Sequence, residues 1–248
     1  MNQYRLIIAY DGTKYYGWQA QKDLPAITSI LRKTFVKVFK CDAFIRGVSR
    51  TDAGVHALGQ VVSVKTQLDI PVEKLIFGWS NRLPDDIVIR SGERVELDHS
   101  IYDNVIQKTY YYHFFTQRPL PMIKRYGWYT GPVDLEKLQS ALQVFVGTHD
   151  FASFRSTEDE RIDTVRTIDS ITLEHYRRFG VYRISVHGKS FLRHMIRRIV
   201  GAAIAVASRK ELDNSVLVQA LSEKNPHQQL FTAPPEGLLL YKVRYKQG

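Results

Sequence analysis

Two halves of this chain show the same order of strand-like and helix-like segments, and this repeat constrains the fold more than any other feature. In the first half the order is strand, helix, strand, strand, helix, strand, at residues 4–10, 27–39, 43–48, 60–64, 71–79 and 87–90. Apolar residues recur at helical spacing from Ile27 to Phe39, and Pro71 opens the second helix. The order β-α-β-β-α-β predicts a ferredoxin-like or RRM-like half.

The second half repeats this order with longer segments, at residues 110–115, 135–145, 168–176, 181–187, 192–209, 212–224 and 237–245. Its two central strands form a hairpin that turns at Phe179 and Gly180. We therefore predict an α+β fold of two RRM-like or ferredoxin-like halves with adjoining antiparallel sheets. The expected N-terminal domain covers residues 1–103, and the C-terminal domain covers residues 104–248.

The chain is strongly basic, with 35 Lys and Arg residues against 25 Asp and Glu residues and a net charge of +10. Basic side chains gain affinity for polyanions by displacing counterions from phosphates, which favours a nucleic-acid partner. With such a partner, we expect a basic central cleft between the halves. Charge alone leaves open the alternative that the excess serves only solubility. A membrane surface is less favoured, because no basic amphipathic helix stands apart from the core-like segments.

Cysteine content and apolar runs exclude several other classes of protein. Cys41 is the only cysteine, so neither an intrachain disulfide nor a cysteine-rich zinc site can form. The first strand begins at Tyr4, which leaves no room for a signal peptide. The longest run of small apolar residues, 202–207, is too short to cross a bilayer. We expect a soluble, cytoplasmic protein.

The segment RTDAGVHA at residues 50–57 is the strongest candidate for chemistry. It places Asp52 two residues after Arg50 and two before Gly54, between two strand-like apolar runs. A carboxylate beside an arginine stays ionised, and an ionised carboxylate on a loop can act as a nucleophile. An isolated R-x-D would more often be a structural turn pair, so the assignment depends on the whole segment.

The segment at 50–57 resembles the catalytic motif of the TruA family of tRNA pseudouridine synthases. Other segments fit further patterns of that family, namely YDGTKYYGWQ at 10–19, LPDDI at 83–87, DFASF at 150–154, FLRHMIR at 191–197 and EGLLL at 236–240. Several ordered motifs at matching spacing make the resemblance specific over nearly the whole chain. Two segments depart from the family pattern. Ser49 stands where the family usually has glycine, and the residues His99 to Tyr102 replace its H-A-R-F element.

The resemblance implies that the protein isomerises uridine to pseudouridine within tRNA, without a metal or another cofactor. Proteins of this family act as homodimers on the anticodon stem-loop at about positions 38 to 40, where a paired uridine must be extracted before it reacts. The resemblance assigns Asp52 as the covalent nucleophile, Tyr110 as an active-site tyrosine and Arg197 as the partner of Asp52. Further substrate contacts are expected from Tyr110 and from the residues Arg50, Lys14, Arg193 and Leu240.

The three consecutive tyrosines at 110–112 divide between packing and function. Side chains alternate along a strand, so Tyr111 should point away from Tyr110 and Tyr112. We assign Tyr111 and Tyr112 to packing. The ring of Tyr110 would stack on an extracted base, and its hydroxyl could reach a proton in transit.

The helix expected from residue 192 is largely apolar, so an inward-facing Arg197 would need a charged partner, for which Asp52 is the natural candidate. Arg193 lies one helical turn earlier and is expected on the same face.

Three more expectations concern residues outside this core set. His56 is expected to be a hydrogen-bonded structural histidine. We expect Lys14, Tyr15 and Trp18 to contact RNA from the loop after the first strand. The acidic run at residues 158–160 is expected to be a solvated loop.

Two alternative functions remain open from the residues. A non-catalytic RNA-binding protein with RRM-like sheets would carry exposed aromatic residues in an RNP motif, and no clean one is present in the sequence. A nucleic-acid N-glycosylase could also use an aspartate beside an extracted nucleotide. Release of free base would identify a glycosylase, because a synthase keeps the base attached.

Overall fold

The computed structural model describes residues 1–159, 162–228 and 230–246. Within these residues the fold is α+β. The strands are β1 (Asn2–Tyr10), β2 (Ala43–Gly47), β3 (His56–Thr66), β4 (Ile87–Val95), β5 (Val105–Phe115), β6 (Trp128–Tyr129), β7 (Gly147–Asp150), β8 (Val165–Tyr176), β9 (Val181–Gly188) and β10 (Leu238–Tyr245). The helices are α1 (Ile27–Phe39), α2 (Val72–Ser80), α3 (Leu135–Gln143), α4 (Met195–Ser208) and α5 (Ser215–Glu223).

The chain forms two compact units, and the first contains Met1–Val105 together with the described residues from Leu239 onward. In this unit β1 lies between β3 and β4 and is antiparallel to both. β2 is antiparallel to β3 along residues 62–66 only. β10 runs parallel to β3 and pairs Leu239 with His56 and Leu240 with Ala57.

The prediction of purely antiparallel sheets is therefore wrong, because the first unit has a mixed sheet. The reason is the short reach of β2, which covers only one end of its edge of β3. The other end has backbone groups that need partners, and β10 supplies them in parallel orientation. The last strand groups with the N-terminal unit, although the sequence pattern places it at the end of the second half.

Helices α1 and α2 form the core of the first unit with alternate residues of β1. Tyr4, Leu6 and Ile8 are buried on one face of β1 at the strand period of two residues. Helix α1 buries Ile27, Leu31 and Phe35 at the helical spacing of four. The ring of Phe35 meets the edge of Trp79 from α2 at a centroid distance of 4.9 Å. This packing stabilises the sheet that contains β2 and β3.

Residues 48–55 connect β2 to β3. We call these residues the Asp52 loop.

The second unit, Ile106–Leu238, has a sheet with the strand order β7-β8-β9-β5. These strands pair antiparallel, whereas the short β6 is parallel to the end of β5. The strands β6 and β7 were not predicted, because segments of two and four residues show no clear alternation of apolar side chains.

The longest helix of the second unit, α4, starts later than predicted. It begins at Met195 instead of residue 192, since His194 has a left-handed backbone with φ of +63°. Most residues of α4 are buried, as the apolar pattern predicts. Among the described residues, no helix combines the length and the apolar content that crossing a membrane would require.

Candidate active site

The backbone of the Asp52 loop is held by hydrogen bonds to the loop that follows β1. The Trp18 N–H donates to the Thr51 carbonyl over 3.0 Å, and the hydroxyls of Tyr10 and Thr51 share a hydrogen bond of 2.8 Å. Gly17 has a φ of +85°, and a Cβ at this position would lie only 2.6 Å from the Thr51 carbonyl oxygen. Only glycine allows so close an approach in this conformation, so the sequence fixes the two loops against each other.

The Asp52 side chain is half-buried at the turn of this loop, between the exposed residues Arg50 and Ala53. The Val55 N–H donates to the Asp52 carbonyl over 3.2 Å, which closes the turn. Thr51, in contrast, is buried with 7% of its surface exposed. The loop therefore leaves Asp52 partly exposed on a backbone that the flanking residues hold in place.

His56 has a structural role, as expected. The residue is 5% exposed, and its Nδ1 accepts a hydrogen bond of 3.0 Å from the Gly12 N–H. The Asp11 Oδ1 lies 3.1 Å from the same Nδ1. The buried ring therefore joins β3 to the loop that follows β1.

Only one of the three residues expected to contact RNA from the first loop is exposed. The Lys14 side chain is 78% exposed, and its Nζ lies 3.7 Å from an oxygen of Asp86. Tyr15 and Trp18 are 7% and 2% exposed because their rings belong to the core of the unit, so their burial does not support the expected contact with RNA. The Tyr15 hydroxyl donates to the Asp86 carboxylate. Burial, followed by this hydrogen bond, raises the pKa of Tyr15 above its ordinary value, so its hydroxyl stays protonated.

In the second unit, Tyr110 lies on the buried face of β5. It is 8% exposed, and its ring meets Phe191 edge-on at a centroid distance of 5.3 Å. Tyr112 lies on the same face, is fully buried, and donates its hydroxyl to the Pro234 carbonyl over 2.9 Å. The pKa of Tyr112 is raised, chiefly by burial, so it remains neutral.

Tyr111 points to the opposite face of β5, as predicted. The Arg183 guanidinium lies over its ring at 4.1 Å from the centroid. The same guanidinium lies over Tyr176 at 4.6 Å and pairs with Glu174 at 2.7 Å. These contacts support the packing role assigned to Tyr111, with a cation–π contact in place of a core position.

Arg197 is half-buried on α4 and is joined to the segment before β10 by two hydrogen bonds. Its Nε donates to the Ala233 carbonyl over 2.8 Å, and the Ala233 N–H donates to the Arg197 carbonyl over 3.0 Å. Gly201 lies one turn later, and a Cβ there would be 2.1 Å from the Phe231 carbonyl oxygen. The absence of a side chain at Gly201 thus allows the approach that orients the arginine.

Arg193 does not share a helix face with Arg197, because it precedes the start of α4. Its guanidinium pairs with Glu158 at 2.6 Å, and its N–H donates to the Asp159 carboxylate over 2.9 Å. Asp159 is 7% exposed, so the expectation of a solvated acidic run is wrong at this residue. A carboxylate that accepts a backbone N–H can be buried at modest cost, which the sequence alone did not indicate. Glu160 lies outside the described residues.

The structure divides the predicted site residues between the two units. Arg50, Asp52, Lys14 and Leu240 belong to the first unit, where Leu240 is fully buried and pairs with Ala57 at the end of the 50–57 motif. The second unit contains Tyr110, Arg193 and Arg197. The substrate contacts and the pair between Asp52 and Arg197 stay predictions.

Sequence reasoning missed Gln60. It is a fully buried polar residue whose side chain contacts the start of the Asp52 loop. Its only signal in the sequence is a glutamine directly before the apolar run at 61–62 of a strand, where a polar residue needs a hydrogen-bond partner.

Comparisons with known proteins agree with the motifs. The sequence model of a family described as tRNA pseudouridine synthase matches residues 6–103 and 141–246. The tRNA pseudouridine synthase A of Thermoanaerobacter sp. (strain X514) is 34% identical over 247 residues, covering 99% of this chain and 100% of the relative. The protein of the same name from Geotalea daltonii is 36% identical with the same coverage.

A solved archaeal box H/ACA sRNP Nop10-Cbf5 complex covers 79% of this chain and 45% of its own, at 13% identity and a TM-score of 0.33. That similarity is too low to support an argument about fold or function. The family match and the full-length relatives are sufficient by themselves to assign the family. Because relatives more than 30% identical cover 99% of its length, this chain belongs to the tRNA pseudouridine synthases, and its resemblance to the TruA family is confirmed.

Proposed function

We propose that this chain converts uridine into pseudouridine in the anticodon stem-loop of tRNA, at about positions 38 to 40, with Asp52 as the covalent nucleophile. The observation that carries the proposal is the Asp52 loop. Its backbone is anchored at Thr51 and at the Asp52 carbonyl, while Asp52 itself is only partly buried. A nucleophile needs this combination of a fixed backbone and an accessible side chain.

The reaction is an isomerisation and balances within the nucleotide. The bond between N1 and the sugar C1′ breaks, a bond between C5 and C1′ forms, C5 loses a proton and N1 gains one. Asp52 forms and then releases a covalent bond to the nucleotide, so no oxidant or reductant is consumed.

Several other residues have proposed roles in this reaction. Tyr110, held edge-on against Phe191, stacks on the extracted base. Arg197, oriented by the Ala233 carbonyl, pairs with the Asp52 carboxylate. We assign substrate contacts to a further set, Arg50, Lys14, Arg193 and Leu240. The exposure of Arg50, Lys14 and Arg193 supports contact with phosphates.

We further propose that two RRM-like domains border a basic cleft, and that the protein works as a cytoplasmic homodimer. The net charge of +10 supports a polyanion in the cleft. A tRNA substrate supports the cytoplasmic location.

The test is Asp52→Asn, assayed by tritium release from uridine labelled at carbon 5 in whole tRNA. The amide keeps the size of the side chain and removes the anionic nucleophile, so turnover should vanish while tRNA affinity stays within a few-fold. Asp69→Asn is the matched control, because Asp69 lies on the surface of the same unit in a pair with Arg94 at 2.8 Å. Turnover by a carefully purified Asp52→Asn protein would refute the nucleophile, and free base among the wild-type products would indicate a glycosylase.

A further inference from the structure

One buried side chain holds the start of the Asp52 loop. Gln60, on β3, is fully buried, and its Nε2 donates a hydrogen bond of 2.6 Å to the Ser49 carbonyl. The Ser49 N–H donates to the Gln60 Oε1 over 3.3 Å. Both backbone groups of Ser49 are therefore bound by a single side-chain amide.

This amide continues the strand ladder beyond its last backbone pair. β2 pairs with β3 as far as Gly47 opposite Val62, and the Val48 N–H then donates to the Val61 carbonyl over 2.9 Å. The side chain of Gln60, the next residue of β3, then bonds Ser49, the next residue of the departing chain. The contact fixes the direction in which the chain leaves the sheet toward Asp52.

The two contacts also determine how the amide is oriented. The Ser49 N–H needs an acceptor and its carbonyl needs a donor, which the observed placement of Oε1 and Nε2 supplies. In a flipped amide, the Gln60 NH₂ group would face the Ser49 N–H, and the Gln60 carbonyl oxygen would face the Ser49 carbonyl oxygen. An apolar side chain of similar size would leave both groups of the buried Ser49 without this partner.

We propose that Gln60 is a positioning residue for the reaction and acts on Asp52 through the backbone of Ser49. The inference rests on the proposed role of Asp52. The Trp18 N–H holds the loop at Thr51, and Gln60 holds it at Ser49, so the two anchors lie on either side of Arg50. Loss of the Gln60 anchor allows the incoming chain to shift, and a misplacement of about 1 Å at a reacting group can cost about 10²-fold in rate.

The first test compares Gln60→Met with Gln3→Met. Gln3 is a matched control, because it is 1% exposed in the same unit and its side chain also makes two hydrogen bonds, both from Nε2, to the Ser63 Oγ at 3.0 Å and the His99 carbonyl at 2.6 Å. These bonds do not involve the Asp52 loop. Because each variant loses two hydrogen bonds of a buried side chain, both should be less stable than wild type in thermal unfolding. Only Gln60→Met should reduce the single-turnover rate at saturating tRNA, by about 10²-fold, with little change in tRNA dissociation constant.

The second test is Gln60→Glu, with the rate divided by that of wild type at each pH. A protonated glutamic acid donates and accepts as glutamine does, whereas a carboxylate only accepts. Burial raises the pKa of a carboxyl at this position, so the neutral form persists below the raised pKa and is lost above it. The ratio of the Gln60→Glu rate to the wild-type rate should approach one in acid and fall as the pH rises. The ratio of the Gln3→Glu rate to the wild-type rate should not show this pH dependence.

The outcomes separate this inference from the proposed nucleophile. Activity in Asp52→Asn would refute the proposed nucleophile, whatever the Gln60 variants do. With Asp52→Asn inactive, equal single-turnover rates for Gln60→Met and Gln3→Met would overturn the positioning role alone. If Gln60→Met does not fold, Gln60→Glu decides, and a rate ratio that does not change with pH counts against the proposal.

Discussion

The substitution Gly201→Ala provides a severe test of how Arg197 is oriented. A Cβ at position 201 would lie 2.1 Å from the Phe231 carbonyl oxygen and 2.9 Å from the Ala233 nitrogen. Ordinary contact begins at 3.4 Å, so the segment at 231–233 would have to move by about 1.3 Å. Because Ala233 makes both hydrogen bonds to Arg197, this movement should disturb the guanidinium directly.

The expected cost has opposing terms. Overpacking of this kind costs about 1–3 kcal/mol, and the two weakened hydrogen bonds add about 1 kcal/mol each. Alanine in place of glycine inside a helix raises the free energy of unfolding by about 1 kcal/mol, which offsets part of this cost. We therefore expect Gly201→Ala to lower the free energy of unfolding by about 2–4 kcal/mol. If Arg197 has the proposed role, the single-turnover rate should also fall, by about 10²-fold.

Urea unfolding and tritium release at saturating tRNA measure the two effects. Gly78→Ala is the control, because Gly78 lies inside α2 and the nearest atoms, from Phe39 and Val38, would be 3.5 Å or more from the added Cβ. The control should gain up to about 1 kcal/mol in stability from helix propensity and retain wild-type activity. A Gly201→Ala protein as stable and as active as the Gly78→Ala protein would show that the close approach does not constrain Arg197.

Three further predictions concern the Tyr110 ring, the Ser49 hydroxyl and the basic charge of the chain. Tyr110→Phe keeps the ring that meets Phe191, so it should retain substantial activity if the ring only stacks, and its rate should fall by about 10²-fold or more if the hydroxyl moves a proton. Tyr110→Leu should be nearly inactive, and near-wild-type rates for both variants would remove Tyr110 from the site. Ser49→Ala should raise the free energy of unfolding by about 1 kcal/mol, because the buried Ser49 hydroxyl has no hydrogen-bond partner among the described residues; a loss of stability would contradict this. The logarithm of tRNA affinity should fall against the logarithm of salt concentration with a slope of roughly −0.7 to −0.9 per phosphate contact, and a flat response would mean that the basic excess does not bind the RNA.

The sequence predicts those elements whose own side chains determine them. The bounds of α1 follow from apolar residues at helical spacing, and the alternation along β5 places Tyr111 opposite Tyr110 and Tyr112. It does not predict the late start of α4, because no local signal marks the left-handed backbone of His194, and the preceding residue Arg193 is held by Asp159 from a distant segment. The parallel pairing of β10 depends on an edge of β3 that β2 leaves uncovered, which is a property of the sheet.

The candidate site shows the same division. The motif at 50–57 identifies Asp52 from the sequence, because its specificity lies in consecutive residues. The burial of Trp18 and Asp159 does not follow from the motifs, since each depends on partners from distant segments. Gln60 contacts a residue eleven positions earlier across two strands, and only the register of β2 on β3 reveals that contact.

Both units orient a proposed catalytic residue through a close approach of two backbones at a glycine. Gly17 allows its loop to reach the Thr51 carbonyl, and Gly201 allows the segment at 231–233 to reach α4. The backbone contact from the Trp18 N–H to the Thr51 carbonyl remains available when the Asp52 carboxylate becomes an amide. A loss of turnover in Asp52→Asn therefore reports chemistry and not a displaced loop where thermal unfolding shows that the variant keeps wild-type stability. In Gln60→Met the carboxylate is intact and the backbone anchor is lost, which makes the two variants complementary measurements of the same site.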